Sequence, residues 1–376
     1  MLSCWIQLTR DSDQYKETII PFESLSYLES APAVSAKLKV ALTDFKVEEN
    51  LGFEPTSSGE HIFLKVKKIN LSTLDVARKL SEITGLKMSS IGYSGMKDKR
   101  GECVQWFSIP FQGKLENLIG SLESDQLIVI TKHLNTRKLR IGSHKGNNFR
   151  IKLRDCKGEQ SEFERRLYRM MGQGIPNYFG AQRFGKHMNN IRTVMNLAQE
   201  RPNLLTPEVS KKRMAKSVLN KGMLISAARA YMFNQVLSTR IKSGNWNEYV
   251  PGDVINLDGT DSYFLVANDQ WDDTLEERLN NFDIHISGPL AGIIPQEYKY
   301  VTKSKAADIE GVCLMKFRPL LKKLTEMYVL ASRRPMRFRP KDLRWSWEGD
   351  DILDLSFSLR RGCYATSLLR EVCLID

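Results

Sequence analysis

The sequence predicts a mixed α/β (α+β) protein in which strands dominate both ends of the chain and helices the middle. Three observations carry this expectation. Apolar residues alternate with period two near both ends, they recur at helical spacing in the centre, and no internal repeat or low-complexity tract interrupts them. One economical architecture pairs the two ends in a single mixed sheet and leaves the middle as an inserted subdomain.

The elements follow in order. In 61–67, Ile62, Leu64 and Val66 share one face, as in a half-buried strand. Residues 72–84 read as a helix, with Ser72 and Asp75 at capping-box spacing and Gly85 as the stop. Residues 105–109 form a strand, and in 149–153 Phe149, Ile151 and Leu153 oppose Arg150 and Lys152. Phe163, Leu167, Met170 and Met171 mark one face of a helix that ends near Gly172 and Gly174. Leu224, Ala227, Ala228, Tyr231 and Met232 place another over 223–241. Leu353, Leu355, Phe357 and Leu359 alternate with Asp354, Ser356 and Ser358, giving a strand, a turn at Gly362 and a short helix over 366–372.

The 376 residues suffice for two or three ordinary domains, and 41% hydrophobic with 27% charged residues is the composition of a soluble globular protein. No stretch approaches the ~20 apolar residues of a membrane span. The opening MLSCWIQLTRDSD has no basic n-region and no unbroken apolar core, so no secretory signal is expected. The six cysteines form no C-x-x-C pair and are expected to be reduced thiols of a cytoplasmic protein. The five histidines are scattered without H-E-x-x-H, so no metal site is expected.

Lys and Arg exceed Asp and Glu by 12, which suggests a polyanionic partner. The bases are concentrated in 131–155, which includes Arg137 and Lys138, and in 332–345, which includes Arg333, Arg334, Arg337, Arg339, Lys341 and Arg344. By contrast 258–283 is acidic. The two basic stretches either form one phosphate-tracking groove or are unrelated loops.

No G-x-x-x-x-G-K-[ST], no convincing G-x-G-x-x-G and no G-x-S-x-G is present, so nucleotide-dependent transfer, dinucleotide redox chemistry and serine hydrolysis are unsupported. What remains is an acid among bases, in YSGMKDKRGECVQWF. Asp98 lies between Lys97 and Lys99, with Arg100 next and Gly92, Gly95 and Gly101 around it. Neighbouring cations favour the carboxylate form, which serves either as half of a structural ion pair or as a nucleophile. The glycines imply a sharply bent backbone or a close approach to a ligand. Aromatic rings also neighbour bases, Phe149 beside Arg150 and Tyr178, Phe179 and Phe184 around Arg183, fit either for stacking nucleotides or for the core.

Read together, six stretches resemble the TruD family of pseudouridine synthases, in the family's order and over nearly the full length. They are DFKVEENLGFEPTSSGEHIFLKVKK, YSGMKDKRGECVQWF, GSHKGNNFRIKLR, GIPNYFGAQRFG, AARAYMFNQ and RRGCYATSLLREV. The wording is similar to the bacterial branch, which acts on uridine 13 of tRNA. The resemblance implies a mixed-sheet catalytic domain of pseudouridine-synthase type built from both ends, 1–172 and 339–376, with a TRUD domain inserted at 173–338.

It also implies roles. Asp98 matches the catalytic aspartate of G-x-K-D, Phe45 a substrate-pocket phenylalanine, and Asn147 and Phe149 the uracil-binding residues of G-N-x-F. Tyr364, expected to supply a further ring to the substrate pocket, stands where the bacterial pattern often has phenylalanine, and Cys363 replaces the usual serine. Lys97, Lys99 and Arg100 are expected to hold Asp98 ionised or to grip RNA phosphates, and Arg137, Lys138 and Arg183 to bind RNA. Isomerisation adds nothing and oxidises nothing, so the expected partner is tRNA, with no cofactor, no metal and no membrane, and a monomer is favoured. A non-catalytic tRNA-binding or folding protein on the same fold is the alternative. A methyltransferase would need a methyl-donor site, and no glycine-rich loop for one is evident.

Overall fold

The computed structural model describes residues 19–111, 120–199, 211–267 and 270–376, with the backbone alone at 199 and 211–221. The opening MLSCWIQLTRDSD, with Cys4, lies outside the described residues.

Strands from both ends share one ten-stranded mixed sheet. From the first part come β1 (Ser35–Leu38), β2 (Phe45–Asn50), β3 (His61–Ile69), β4 (Gly92–Tyr93), β5 (Glu102–Pro110), β6 (Leu127–Asn135) and β7 (Gly146–Lys157). After the middle segment, which carries elements β8 to β13, the chain supplies β14 (Lys341–Glu348), β15 (Ile352–Arg360) and β16 (Leu374–Ile375). The order is β14-β15-β7-β2-β5-β3-β6, with β1 beside β7, β16 beside β1 and β4 beside β5. The β2–β5 and β1–β16 pairs are parallel and the others antiparallel. The strands read from alternation run longer than expected; in β7 the polar 146–148 end finds ladder partners on β15 and the charged 154–157 end finds them on β1.

Helix α1 (Thr73–Thr84) starts as its spacing predicts. Ser72 Oγ accepts from Asp75 N at 3.1 Å, and Asp75 Oδ2 accepts from Ser72 N at 2.9 Å. Gly85 takes the left-handed stop at φ 69°. Val76, Ala77 and Leu80 bury one side of α1 against Leu64, Val66, Phe107 and Ile109. Helix α2 (Gln160–Gln173) continues through Gly172 and ends at Gly174. Its Phe163, Leu167 and Met170 join Ile151, Leu153, Leu353 and Leu355, and so does the C-terminal helix at 365–372.

The chain leaves and re-enters the large sheet at one place. β8 (Ile175–Pro176) pairs with β13 (Arg337–Phe338) as an antiparallel ladder. Between them lie the helices α3 (Asn189–Gln199), α4 (Lys211–Lys242), α5 (Asp273–Asn280), α6 (Ser304–Met315) and α7 (Arg318–Glu326). They accompany a four-stranded antiparallel sheet of β9 (Val254–Leu257), β10 (Tyr263–Leu265), β11 (Ile284–Leu290) and β12 (Ser332–Pro335), in the order β10-β9-β11-β12. From Ala227 to Leu237, α4 is apolar nearly all round and buried accordingly. The buried amide of Asn234 on this helix caps the entering chain, exchanging hydrogen bonds with Phe179 N and O at 2.9 Å each. The last helix, α8, is Ala365–Val372. Among the described residues no helix is long and apolar enough to cross a membrane.

Candidate active site

The loop between β4 and β5 is held from beneath by buried polar side chains. Gln105 Nε2 donates to the Gly95 carbonyl at 2.6 Å. Thr73 Oγ1, in the first turn of α1, accepts from Lys97 N and donates to Gln105 Oε1, both at 2.9 Å. Lys68 Nζ donates to the carbonyls of Asp98 and Leu71 at 2.9 and 2.6 Å. Gln105, Thr73 and Lys68 are fully buried, so each must find a partner, and the loop backbone supplies most of them. Burial pushes the Lys68 ammonium below its ordinary pKa. At Gly101, φ is 145° and a Cβ would stand 2.6 Å from the Phe45 carbonyl, so the loop meets β2 at a position only glycine fills easily.

With its carbonyl fixed, Asp98 turns its carboxylate outward, its side chain 47% exposed. Oδ2 accepts from Lys39 Nζ at 2.8 Å. The ion pair is therefore not with the flanking bases. Lys97 points inward, onto Glu49 at 2.7 Å, and these two side chains are 6% and 0% exposed. Lys97 is thus committed to a buried acid instead of to phosphates or to Asp98. Lys99 and Arg100 are exposed, and Arg100 reaches the Val40 carbonyl. Lys39 has φ 59°, which for a lysine costs about 1 kcal/mol. Its Nζ also lies 3.9 Å from the centre of the Phe45 ring, so one cation bridges the carboxylate and an aromatic wall.

The register extends that wall. Phe45, Val47 and Glu49 on β2 stand opposite Ile151, Phe149 and Asn147 on β7, which stand opposite Leu355, Phe357 and Leu359 on β15. Directly paired residues share a face. Phe149 stacks on Phe357 with centroids 5.3 Å apart and meets Phe45 edge-on at 6.3 Å. Asn147 Oδ1 is buried and has no hydrogen-bond partner, an unusual state that a bound base edge would relieve. Asp98 thus meets this face at its Phe45 end through Lys39, Phe149 holds the middle row, and Asn147 stands in the row beyond it.

Tyr364, at the start of α8, joins a different group. Its ring lies 6.0 Å from that of Phe179, which packs on Phe233 at 5.6 Å in the core of the middle segment. Phe179 therefore takes the core reading, though Arg334 lies 4.1 Å and Arg183 5.7 Å from its ring centre. Arg183 also bonds Ser226 Oγ. Arg137 and Lys138 sit on the loop from β6 to β7, which docks beside β4 through Leu139 N to Ser108 Oγ at 2.9 Å and Gly142 N to the Ser94 carbonyl at 2.6 Å. Arg137 is exposed, and Lys138 is half-buried against the Ser89 carbonyl.

The second basic stretch is not a solvated groove wall along its length. Arg333 is buried on Glu310 at 2.5 Å, Arg337 is buried against His285, Phe282 and the Leu279 carbonyl, and Arg334 holds the Gly362 carbonyl at 2.7 Å. Only its later members Arg339, Lys341 and Arg344 are exposed. Sequence reading also gives no role to Lys39, Lys68, Gln105 or Glu49. Glu49 carries a signal, since it follows Phe45 and Val47 at period two within D-F-x-V-x-E. Lys39 carries none.

A family model described as tRNA pseudouridine synthase D (TruD) matches residues 22–201 and 208–372. The chain is 33% identical over 355 residues to a tRNA pseudouridine synthase D of Methylococcus capsulatus, covering 94% of this chain and 96% of that one. It is 35% identical over 350 residues to one of Nitrosococcus oceani, covering 93% of each. In fold it is similar to the crystal structure of a putative tRNA pseudouridine synthase D of Methanosarcina mazei, with a TM-score of 0.67 and 21% identity over 92% of this chain and 95% of that one. The chain belongs to the TruD family of tRNA pseudouridine synthases.

Proposed function

We propose that the chain isomerises uridine to pseudouridine in tRNA, at uridine 13, with Asp98 as the catalytic carboxylate. The observation that carries this is the placement of one outward carboxylate, on a loop fixed by buried polar groups, against Lys39 and the Phe45–Phe149 wall. We further propose that 1–172 and 339–376 form the catalytic domain and 173–338 an inserted TRUD domain. The β8–β13 ladder, where the chain departs and returns, supports that division.

In the reaction N1–C1′ breaks, the base turns in its pocket, C5–C1′ forms, C5 loses a proton and N1 gains one. An ionised carboxylate can serve by attacking C6 or C1′, or by stabilising cleavage and then taking up a proton. Lys39 keeps a cation beside it throughout. Phe45 and Phe149 give the detached base an apolar surface on which to turn, and Asn147 offers its unpaired amide oxygen to the uracil edge. Tyr364 packs on Phe179 of the middle segment, apart from this aromatic wall, and is given no part in turning the base. The target must be flipped out of folded RNA at a cost of a few kcal/mol, roughly, and phosphate contacts from Lys99, Arg100, Arg137 and Lys138 offset it.

The test is Asp98→Asn, which keeps the shape and a Lys39 contact. Pseudouridine at position 13 is expected to disappear while tRNA binding survives. Normal turnover by this variant would remove Asp98 from the chemistry, and modification at another position would correct the site.

A further inference from the structure

The acidic stretch read from the sequence finds a use at its first turn. Residues 258–262 join β9 to β10 and reach across to the turn after β15. Asp258 Oδ1 accepts from Arg360 Nη1 at 2.7 Å and from His285 Nε2 at 2.9 Å. Gly259, at φ 77°, lies so close that a Cβ there would stand 2.4 Å from the Arg360 guanidinium. Asp261 Oδ2 is 3.6 Å from Arg361. Two carboxylates of the middle segment thus cover two consecutive arginines of the large sheet.

The arrangement keeps Asp258 charged. His285 Nδ1 accepts from Arg337 Nε at 3.2 Å, so the neutral ring carries its proton on Nε2 and donates it to Asp258. Burial holds His285 below its ordinary pKa. Burial alone would raise Asp258, but the His285 hydrogen bond and the Arg360 charge outweigh it and lower its pKa.

The two arginines border the candidate active site. Arg360 stands opposite Gly146, the neighbour of Asn147. Arg361 donates from its backbone to the Lys145 carbonyl at 3.1 Å and from its side chain to the Gly142 carbonyl. Tyr364 follows within the same turn.

We propose that Arg360 and Arg361 form a further binding site, for RNA phosphodiester groups, which Asp258 and Asp261 occupy as stand-ins until RNA arrives. A guanidinium fork receives carboxylates and phosphates alike. The two arginine side chains are 38% and 53% exposed, so these pairs are weak and open to exchange. The buried Arg333–Glu310 pair, 4% exposed on each side, is of the opposite kind. RNA that takes both arginines frees the 258–262 turn and loosens the middle segment from the large sheet.

The proposal rests on RNA being the substrate, and the test separates the two. Full-length chain is titrated with an unmodified tRNA transcript over a range of salt, and pseudouridine formation is followed in parallel. Arg360→Gln with Arg361→Gln is expected to weaken binding and to make log K against log salt shallower by about two, near one unit per phosphate. Asp258→Asn with Asp261→Asn is expected to bind roughly five-fold more tightly with the slope retained. The amide oxygen that Asp258→Asn leaves in place still accepts from His285, and thermal melting reports whether each variant folds. An arginine variant with an unaltered slope overturns the site. So does an acid variant that melts lower and binds no tighter, which marks the pairs as tethers only. A parent chain that neither binds nor modifies tRNA overturns the functional reading itself.

Discussion

Lys39 and Asp98 are 59 positions apart in the chain and 2.8 Å apart in space. The lysine reaches this contact from a left-handed backbone, with the Phe45 ring beneath its ammonium. An uncommon conformation is held where the proposed chemistry needs a fixed cation. Lys39→Met is expected to lower kcat about 100-fold, the size of one preorganised electrostatic group. tRNA affinity should stay within about three-fold of the parent, since a single charge is lost. Lys39→Arg should recover part of the rate. Equal kcat for parent and Lys39→Met would reduce this cation to a structural contact.

Gly101 tests the fit between loop and strand. Gly101→Ala drives a Cβ into the Phe45 carbonyl and should cost about 2 kcal/mol, together with most of the turnover. Gly349, at φ 64° in the turn between β14 and β15, has open space around it. Gly349→Ala should cost about 1 kcal/mol from backbone strain and leave turnover intact. Thermal melts and single-turnover assays on the two variants read both effects.

Bases that look alike in composition should separate by burial. Reversing Arg137 and Lys138 to glutamate should weaken tRNA binding and flatten its salt dependence, with little change in melting temperature. Arg333→Met strands Glu310 in the interior and should cost about 3 kcal/mol of stability. Its salt slope should match the parent's. A shallower slope for a folded Arg333→Met chain would put that arginine on the RNA.

Acid should weaken the α2 network in a defined window. Hydrogen bonds from Arg165, and then Arg166, outweigh burial and lower the Glu162 pKa from 4.5 to about 2. A carboxyl lowered on folding stabilises fully above its unfolded value and loses that effect as pH falls through its folded one. The pair is partly exposed, so Glu162→Gln should cost only about 1 kcal/mol at neutral pH. The difference from the parent should shrink from pH 4.5 towards pH 2 in urea melts. A gap that stays constant over that range would show that packing, not charge, is lost.

Local pattern made the large sheet legible. Leu353, Leu355, Phe357 and Leu359 announce β15, and Ser72, Asp75 and Gly85 announce both ends of α1, because strand alternation and helix caps are short-range physics. Lys39 was hidden for the opposite reason. Its partner comes from a distant loop, and nothing near it in sequence marks the contact. Arg333, Arg334 and Arg337 read as a solvated basic run because composition counts charge and not burial. Their partners, including Glu310 and the carbonyls of Leu279 and Gly362, come from remote segments. The motif around Asp98 was visible, yet the direction of Lys97 was set by Glu49 on β2, which adjacency could not reveal.

The pairing of β15 with β7 sets a timetable for biosynthesis. β7 lines up Phe149 and Asn147 early, beside β2, but the edge that receives Phe357 and Leu359 waits until the whole middle segment has left the ribosome. Until then that edge offers unsatisfied ladder groups to any extended chain. A nascent chain stalled before residue 352 would carry Asp98 and half of its wall, but would be prone to aggregate through β7. The placement that completes the pocket last also ties the chain's solubility to finishing its synthesis.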